Sequence, residues 1–597
     1  MGCVKSTCPV QIKGRSLLKS DEHSNLLSNS KSNYSQKVLI KNLITRIESK
    51  LEDNYKILSK LGKGGFGSVY KVQSYKTSKI CAMKVVRIQC IKLQDDEQKF
   101  LKEIEILCKL EHPNIIKIYE YFIDDVNYYL ITEYVSGGEL YEFILNDETF
   151  SEYKAKNIMR QLFQALNYLH VNNVVHRDIK SENILVDRTY NIQGEEIITI
   201  KLIDFGTCNY IKHKGMLTLR VGSPFYIAPE VLKGNYNNKC DIWSAGILLH
   251  ILLVGQPPFC GNSREEVYQK IQLAQLDFDE PMYRKISSEG KDLLKKTLTK
   301  RINKRLSAQD CLNHPWFLST TGVHTSNCSK TMVSSALKHF ISFNAKEKLQ
   351  QATLAYIVHF LYCNQEINEL KTVFKQLDIN NDGKLTVNEL KNGFKIYYGK
   401  IVSDIEMNHL MENIDGDADG FISYEEFLRV TVNTKKLLEE KNLLCAFERF
   451  DLDGDGKLSK DELSKVLYGS DIEYIDEILK EIDMNKDGYV NFQEFKSLMN
   501  NILLVDKSGD KNENKLNFTT ITPDKDVVKY WIKENSGDYS KGELNTDINT
   551  KTKTTQQDNG IKDKLINGKD SQFKDNNNIC NNKVNQLKKN NILIKIG

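Results

Sequence analysis

Four stretches of this 597-residue chain read D-x-[DN]-x-[DN]-G-x-x-x-x-x-E, starting at Asp378, Asp415, Asp451 and Asp483. That spacing constrains backbone and chemistry together. Such a loop turns sharply at its glycine. It aims oxygens from its first, third, fifth, seventh, ninth and twelfth positions at one centre, which suits the roughly six to eight oxygen ligands of Ca²⁺. The first loop offers Asp378, Asn380, Asp382, the Lys384 carbonyl, Thr386 and Glu389 around Gly383. The second offers Asp415, Asp417, Asp419, the Phe421 carbonyl, Ser423 and Glu426 around Gly420. Asp451, Asp453, Asp455, the Lys457 carbonyl, Ser459 and Glu462 surround Gly456 in the third. The fourth uses Asp483, Asn485, Asp487, the Tyr489 carbonyl, Asn491 and Glu494 around Gly488. Position eight is apolar throughout (Leu385, Ile422, Leu458, Val490), as a short strand pair between neighbouring loops requires. All four loops are complete, so all four are expected to bind Ca²⁺. Helical stretches flank them, such as Ile367–Leu377 and Leu390–Tyr397 around the first, and they restart every 32 to 37 residues. This is an internal repeat of helix–loop–helix units. One unit cannot cover its own apolar face, so residues 366–504 should form two paired lobes.

The length exceeds one core and suggests about three or four domains. A net charge of +4 is small for this mass and gives no support for a nucleic-acid partner. The 13 cysteines are scattered, odd in number and without C-x-x-C spacing, which favours neither a disulfide framework nor a zinc site. Apolar runs stay short of the roughly 20 residues that cross a bilayer, and no secretory apolar segment follows Met1. An intracellular chain with reduced thiols is expected.

Residues 1–37 are polar and read as a flexible arm. Over Val38–Leu51 the apolar Leu39, Ile40, Leu43, Ile44, Ile47 and Leu51 recur at helical spacing and predict a short amphipathic helix within 38–54. From Tyr55 to Tyr134, β-branched and aromatic runs predict a small sheet lobe, with a helix over Asp95–Leu110. Helical patterns dominate Glu139–Phe317. Residues 318–365 form a junction whose apolar positions suggest two amphipathic helices. Residues 505–597 are rich in Asn, Lys and Asp and are expected to be disordered.

Gly62-Lys63-Gly64-Gly65-Phe66-Gly67 followed by Val69 gives G-x-G-x-x-G-x-V, whose glycines let the backbone approach phosphates closely. A dinucleotide fold needs a helix directly after these glycines, but Ser68–Val72 reads as strand. Lys84 follows in a strand pattern, and Glu103 stands on the helix after it, as a partner that can orient the ammonium toward phosphates. Next come His176-Arg177-Asp178-Ile179-Lys180-Ser181-Glu182-Asn183, Asp204-Phe205-Gly206 and Ala228-Pro229-Glu230. In this order and spacing the set resembles the eukaryotic protein kinases over Tyr55–Phe317. The resemblance implies that Asp178 accepts the substrate hydroxyl proton, that Lys180 steadies the γ-phosphate of ATP, and that Asn183 and Asp204 hold Mg²⁺. It also implies nucleotide contacts from Leu61, Gly62, Gly64, Gly67, Val69, Lys84 and Glu103. Thr132 would limit the adenine pocket, with Glu133 to Val135 as the hinge. Lys180 resembles Ser/Thr rather than tyrosine kinases. Ser181 departs from the commoner Pro. Glu139 and Glu182 match acidic positions that face basic residues of the target peptide. Arg177 resembles the residue that grips a phosphorylated activation loop, for which Thr207, Thr218 and Ser223 are the possible acceptors.

A kinase followed by four EF-hands resembles the calcium-dependent protein kinases of plants and protists over Tyr55–Leu504. The implied architecture is an α+β bilobal kinase fold followed by an all-α calmodulin-like domain. In that family the junction restrains the kinase until Ca²⁺ reshapes the sensor. Here Ser334–Gln350 is expected to block the substrate cleft at rest, with Lys338 as a basic decoy or merely packed on the large lobe. A non-catalytic scaffold and a calcium buffer are the alternatives, although Lys84, Asp178, Asn183 and Asp204 are all present. Protein substrates with Ser/Thr near basic residues, and a monomer, are expected.

Met1-Gly2-Cys3-Val4-Lys5-Ser6 fits the N-myristoylation pattern at Gly2. One acyl chain anchors only marginally. Palmitoylation of Cys3 or Cys8, with Lys5, Lys13, Arg15 and Lys19 on anionic lipid, would add the second signal and place the chain on the cytoplasmic face of a membrane.

Overall fold

The β-branched and aromatic runs from Tyr55 onward pair into a twisted sheet. In the computed structural model the strands are β1 (Arg46–Ile47), β2 (Tyr55–Lys63), β3 (Gly67–Ser74), β4 (Ile80–Arg87), β5 (Ile118–Ile123) and β6 (Asn127–Glu133). Their order is β1-β5-β6-β4-β3-β2. The structure describes residues 46–47, 50–63, 67–88, 94–146, 151–190, 196–211, 215–273, 275–318, 330–343, 345, 348–361, 365–416, 418–467, 472–504 and 519–520. The acylation residues Gly2 and Cys3, the loop residue Gly64, the ligand Asp417, the N-terminal arm and nearly all of the C-terminal tail lie outside these.

A strand, not a helix, follows the glycines: Gly67–Ser74 runs antiparallel to both β2 and β4, with Val69 opposite Lys84. Gly67 admits no side chain, because a Cβ there would stand 1.8 Å from the Val85 carbonyl oxygen. The helix expected over Val38–Leu51 is corrected where it is described. Arg46–Ile47 is a strand pairing parallel with β5, and only Leu51–Asn54 (α1) is helical. An edge strand of the sheet offers that segment backbone partners that a helix would forgo. The helix α2 (Gln94–Leu107) buries Phe100, Ile104 and Leu107 against the sheet, as the periodicity predicts.

The large lobe is helical. Its helix α3 spans Leu140–Asn146, and α4 (Glu152–Val171) begins at Ser151, whose side chain accepts from the Lys154 amide. The helix Lys239–Val254 is apolar on every side and accordingly lies in the core. Beneath its Trp243 sits the fully buried Arg305, paired through both terminal nitrogens with buried Glu230.

The junction forms two helices as expected, Lys330–Ser342 and Lys348–Tyr356, the second running into a π-helical turn Ile357–Leu361. The sensor follows with helix–loop–helix units whose loops pair antiparallel, Leu385 with Ile422 and Leu458 with Val490. In the tail, Thr519–Thr520 pairs with Lys400–Ile401. Among the described residues no helix is long and apolar enough to cross a membrane, and the cysteines are free thiols.

Truncating Arg305 would strand a buried carboxylate. Arg305→Ala is expected to cost about 3–5 kcal/mol, read as a lower urea midpoint for the kinase-domain transition.

Candidate functional site

Strand β4 carries Lys84 into the cleft between the lobes. Its ammonium donates to Glu103 Oε1 at 2.7 Å and to Asp204 Oδ1 at 3.1 Å. Burial opposes charge on this amine, yet Glu103 and then Asp204 hold its pKa above the usual lysine range. Burial likewise works against Asp204, but Lys84 keeps its carboxyl below the ordinary range. For Glu103 burial wins, and its pKa is raised despite Lys84. Asp204 itself sits in the left-handed region at φ +61°, and Phe205 packs edge-on against His176.

The second half of the site is the loop around Asp178. Its Oδ1 accepts from the Ser223 amide at 3.0 Å and from the Ser223 hydroxyl at 2.8 Å. Its Oδ2 meets Lys180 at 2.9 Å and accepts from Asn183 Nδ2 at 2.9 Å. The Asn183 amide nitrogen is thereby engaged on Asp178, which leaves its carbonyl oxygen as the atom suited to a divalent cation beside Asp204. Lys180 is raised by Asp178 in spite of burial. The pKa of Glu139 is raised by burial, then by Glu142 and Glu182, so these carboxylates form an acidic wall near Lys180.

The structure places the other expected residues with one refinement. Leu61 and Gly62 are exposed at the end of β2, Val69 is half-buried on β3, and Thr132 lies opposite Ala82 across the sheet. Val135 is half-buried at the hinge. The side chain of Glu133 is already engaged, by Lys201 at 2.7 Å and the Lys117 amide at 2.7 Å. Only the backbone of Glu133 is thus left for a nucleotide contact.

The calcium loops have the backbone that the ligands need. Gly383, Gly420, Gly456 and Gly488 all adopt positive φ, from +80° to +85°. In the third loop Asp451, Asp453 and Glu462 bring ligand atoms within 4.8 Å of one another. In the first, burial followed by Asp382 pushes the Asp378 carboxyl up to about 8. A dication fits such crowded carboxylates, since its charge removes the repulsion.

The decoy expectation for Lys338 is corrected. The helix Lys330–Ser342 packs on the first EF-hand pair: Phe340 meets Phe427 with ring centres 5.8 Å apart, and His339 Nδ1 lies 2.9 Å from the Thr431 carbonyl oxygen. Lys338 is exposed. The apolar face of the helix finds a matching groove there, which a polar substrate cleft does not offer. The second junction helix serves the other pair, with Gln350 Nε2 donating to the Leu498 carbonyl and Tyr356 against Phe450.

Sequence reasoning missed the face by which the sensor touches the kinase. Gln164 and Asn167 of α4 donate to Asn381 Oδ1 at 2.7 Å and to its carbonyl at 3.0 Å. Asn381 is the non-ligating fourth residue of the first loop, held at φ +55°. Gly383 lies so near Tyr168 that a Cβ would come within 2.6 Å of the ring. On the small lobe His359 bridges Glu425 and the Ile118 carbonyl, and Lys117 meets Glu425 at 2.7 Å. The partners of Gln164 and Asn167 lie 217 and 214 residues away, so no local spacing marks either residue.

Residues 55–317 match the family model of the protein kinase domain, and residues 367–432 and 440–500 match that of the EF-hand domain pair. Calcium-dependent protein kinase 4 of Plasmodium falciparum (isolate 3D7) is 38% identical over 459 residues, 75% of this chain and 86% of that protein. Calcium-dependent protein kinase 5 of the same organism is 35% identical over 474 residues, 78% of this chain and 81% of that protein. Calcium-dependent protein kinase 3 of Plasmodium berghei (strain Anka) is 37% identical over 460 residues, 75% and 80% respectively.

Gln164→Ala removes one bond between α4 and the first loop, about 0.5–1.5 kcal/mol. Amide hydrogen exchange over residues 378–389 should quicken about twofold to tenfold, while the third and fourth loops stay unchanged.

Proposed function

The chain belongs to the calcium-dependent protein kinase family, as a Ser/Thr protein kinase joined to EF-hands, and from that premise we propose how its residues divide the work. ATP binds beneath the glycine-rich strands, with Leu61, Gly62, Gly64, Gly67 and Val69 above it and Thr132 to Val135 beside the adenine. Lys84, oriented by Glu103, grips the phosphates. Asn183 and Asp204 hold Mg²⁺, which supplies charge neutralisation on the transferring group. The Asp178 carboxylate accepts the proton of a Ser or Thr hydroxyl, and Lys180 balances the charge that develops beside it. The acidic wall of Glu139 and Glu182 favours a basic peptide upstream of that hydroxyl.

The observation that carries this reading is the set of contacts Lys84–Glu103, Lys84–Asp204 and Asn183–Asp178 on the same chain as the calcium loops. A scaffold that had lost catalysis has no use for it. All four loops take Ca²⁺ in this reading. Ca²⁺ held by the loops would keep the junction helices in the sensor's grooves and away from the substrate cleft. Gly2 carries myristate and Cys3 palmitate, which place a monomer on the cytoplasmic face of a membrane.

Asp178→Ala should lower phosphorylation of a basic Ser/Thr peptide by about 10²–10⁴-fold. Wild-type protein should be silent in chelator and active in Ca²⁺; equal rates in both would end the regulatory half of the reading. Gly2→Ala should move the protein from membrane pellet to supernatant in cell fractionation.

A further inference from the structure

One side chain recurs at the same place in both EF-hand pairs and takes no part in the ligand set. Lys384 and Lys457 stand at position seven of the first and third loops, where only the backbone carbonyl faces the ion. Each opens the short strand that joins the two loops of its pair, Lys457 opposite Asn491 and Lys384 opposite Ser423. From there the side chain crosses to the neighbouring loop. The Lys457 ammonium meets Asp487 Oδ2 at 2.9 Å, and the Lys384 ammonium meets Asp419 Oδ2 at 2.5 Å. Asp487 and Asp419 are the fifth-position ligands of the fourth and second loops.

The two pairs agree in detail. Each lysine lies over the aromatic ring at position seven of the loop it reaches, 5.2 Å from the centre of Tyr489 and 5.2 Å from that of Phe421. The other oxygen of each aspartate accepts the position-seven amide of its own loop, at 3.0 Å from Tyr489 and 2.9 Å from Phe421. Both contacts run from the odd loop to the even one. Position seven of the even loops is Phe421 or Tyr489, so those positions send no charge back to Asp382 or Asp455. An exposed ion pair adds little to stability. Its consequence here is for the ion that the same carboxylate must hold.

We propose that Lys384 and Lys457 lower the calcium affinity of the second and fourth loops, and so raise the Ca²⁺ concentration at which the kinase responds. This rests on the reading that all four loops take Ca²⁺. Each ammonium holds the carboxylate that the even loop would give to the ion. A dication there shares that carboxylate with a fixed positive charge, and the repulsion weakens uptake. Both pairs are partly exposed, so water and salt screen the repulsion. The penalty is therefore graded: the affinity falls, but the loop still binds.

Methionine keeps an unbranched stem over the ring and removes the charge. Full-length wild type and Lys384→Met/Lys457→Met are titrated with Ca²⁺ in competition with a chromophoric chelator. The wild type should take up four ions, one for each loop. In the variant two of them should bind about threefold to tenfold more tightly. Lys384→Arg/Lys457→Arg keeps the charge and should bind as the wild type does. The gain should shrink in about 1 M KCl, where screening is nearly complete. The Ca²⁺ concentration for half-maximal peptide phosphorylation should fall along with the tighter binding. Unchanged or weaker uptake by the methionine variant would overturn the proposal, because lysines that merely brace the loops give that result. An arginine variant as tight as the methionine one, or an unmoved half-activation point, would overturn it too. Should the double variant not fold, Lys457→Met alone is read the same way for a single ion. A wild type that takes up no Ca²⁺ would instead end the calcium reading itself, and the same titration shows it.

Discussion

The catalytic loop hangs on one buried carboxylate. Asp241 has no solvent exposure, and its oxygens accept from the His176 amide at 3.0 Å, the Arg177 amide at 2.8 Å and His170 Nε2 at 3.0 Å. Burial alone would drive such a group to its neutral form. His170 and the amides outweigh that and keep it below the ordinary carboxylate range. An ionised acceptor in a dry core makes strong bonds to amides. These bonds fix the backbone at Arg177, whose φ of +71° is costly for a residue with a side chain. From that bend Asp178 projects toward Ser223, Lys180 and Asn183. The helix bearing Asp241 is rooted by Trp243 and, beneath it, by the Arg305–Glu230 pair. The reacting end of the molecule is thus rigid because its supports are buried.

The sensor's docking face is built differently. It buries amines and carboxylates alike. Burial pushes Lys375 down to about 7 against the pull of Asp378, and its ammonium finds a neutral partner in Asn114 at 2.9 Å. Lys371 is likewise lowered, by burial and then by Lys375 and Lys201. Glu111 is raised by burial and then by Glu425 and Glu426. Desolvating such groups costs free energy that a purely apolar face would not lose. A contact of this kind holds less firmly than the core of either domain. The first calcium loop lies on α4 itself, so the ion's ligands and the docking contacts share one short stretch of backbone.

The chain's periodicities and motifs laid out the chemistry in order. Glycines before a strand, a lysine in the next, Asp178 with Asn183, Asp204 and the calcium loops are local patterns, legible because ligand spacing and side-chain period are local properties. The paired junction helices were legible for the same reason. The strand at Arg46–Ile47 was not, since only a distant partner, β5, decides between strand and helix there. Nor was the fate of Lys338: helical spacing shows that an apolar face exists but not which groove receives it. Sequence alone determined which residue types stand at the spacings that phosphate and calcium chemistry require. Only the tertiary structure decided what holds them. Asp241, Asn381 and His359 are held by partners up to 241 residues away, and such contacts leave no period or spacing in the chain.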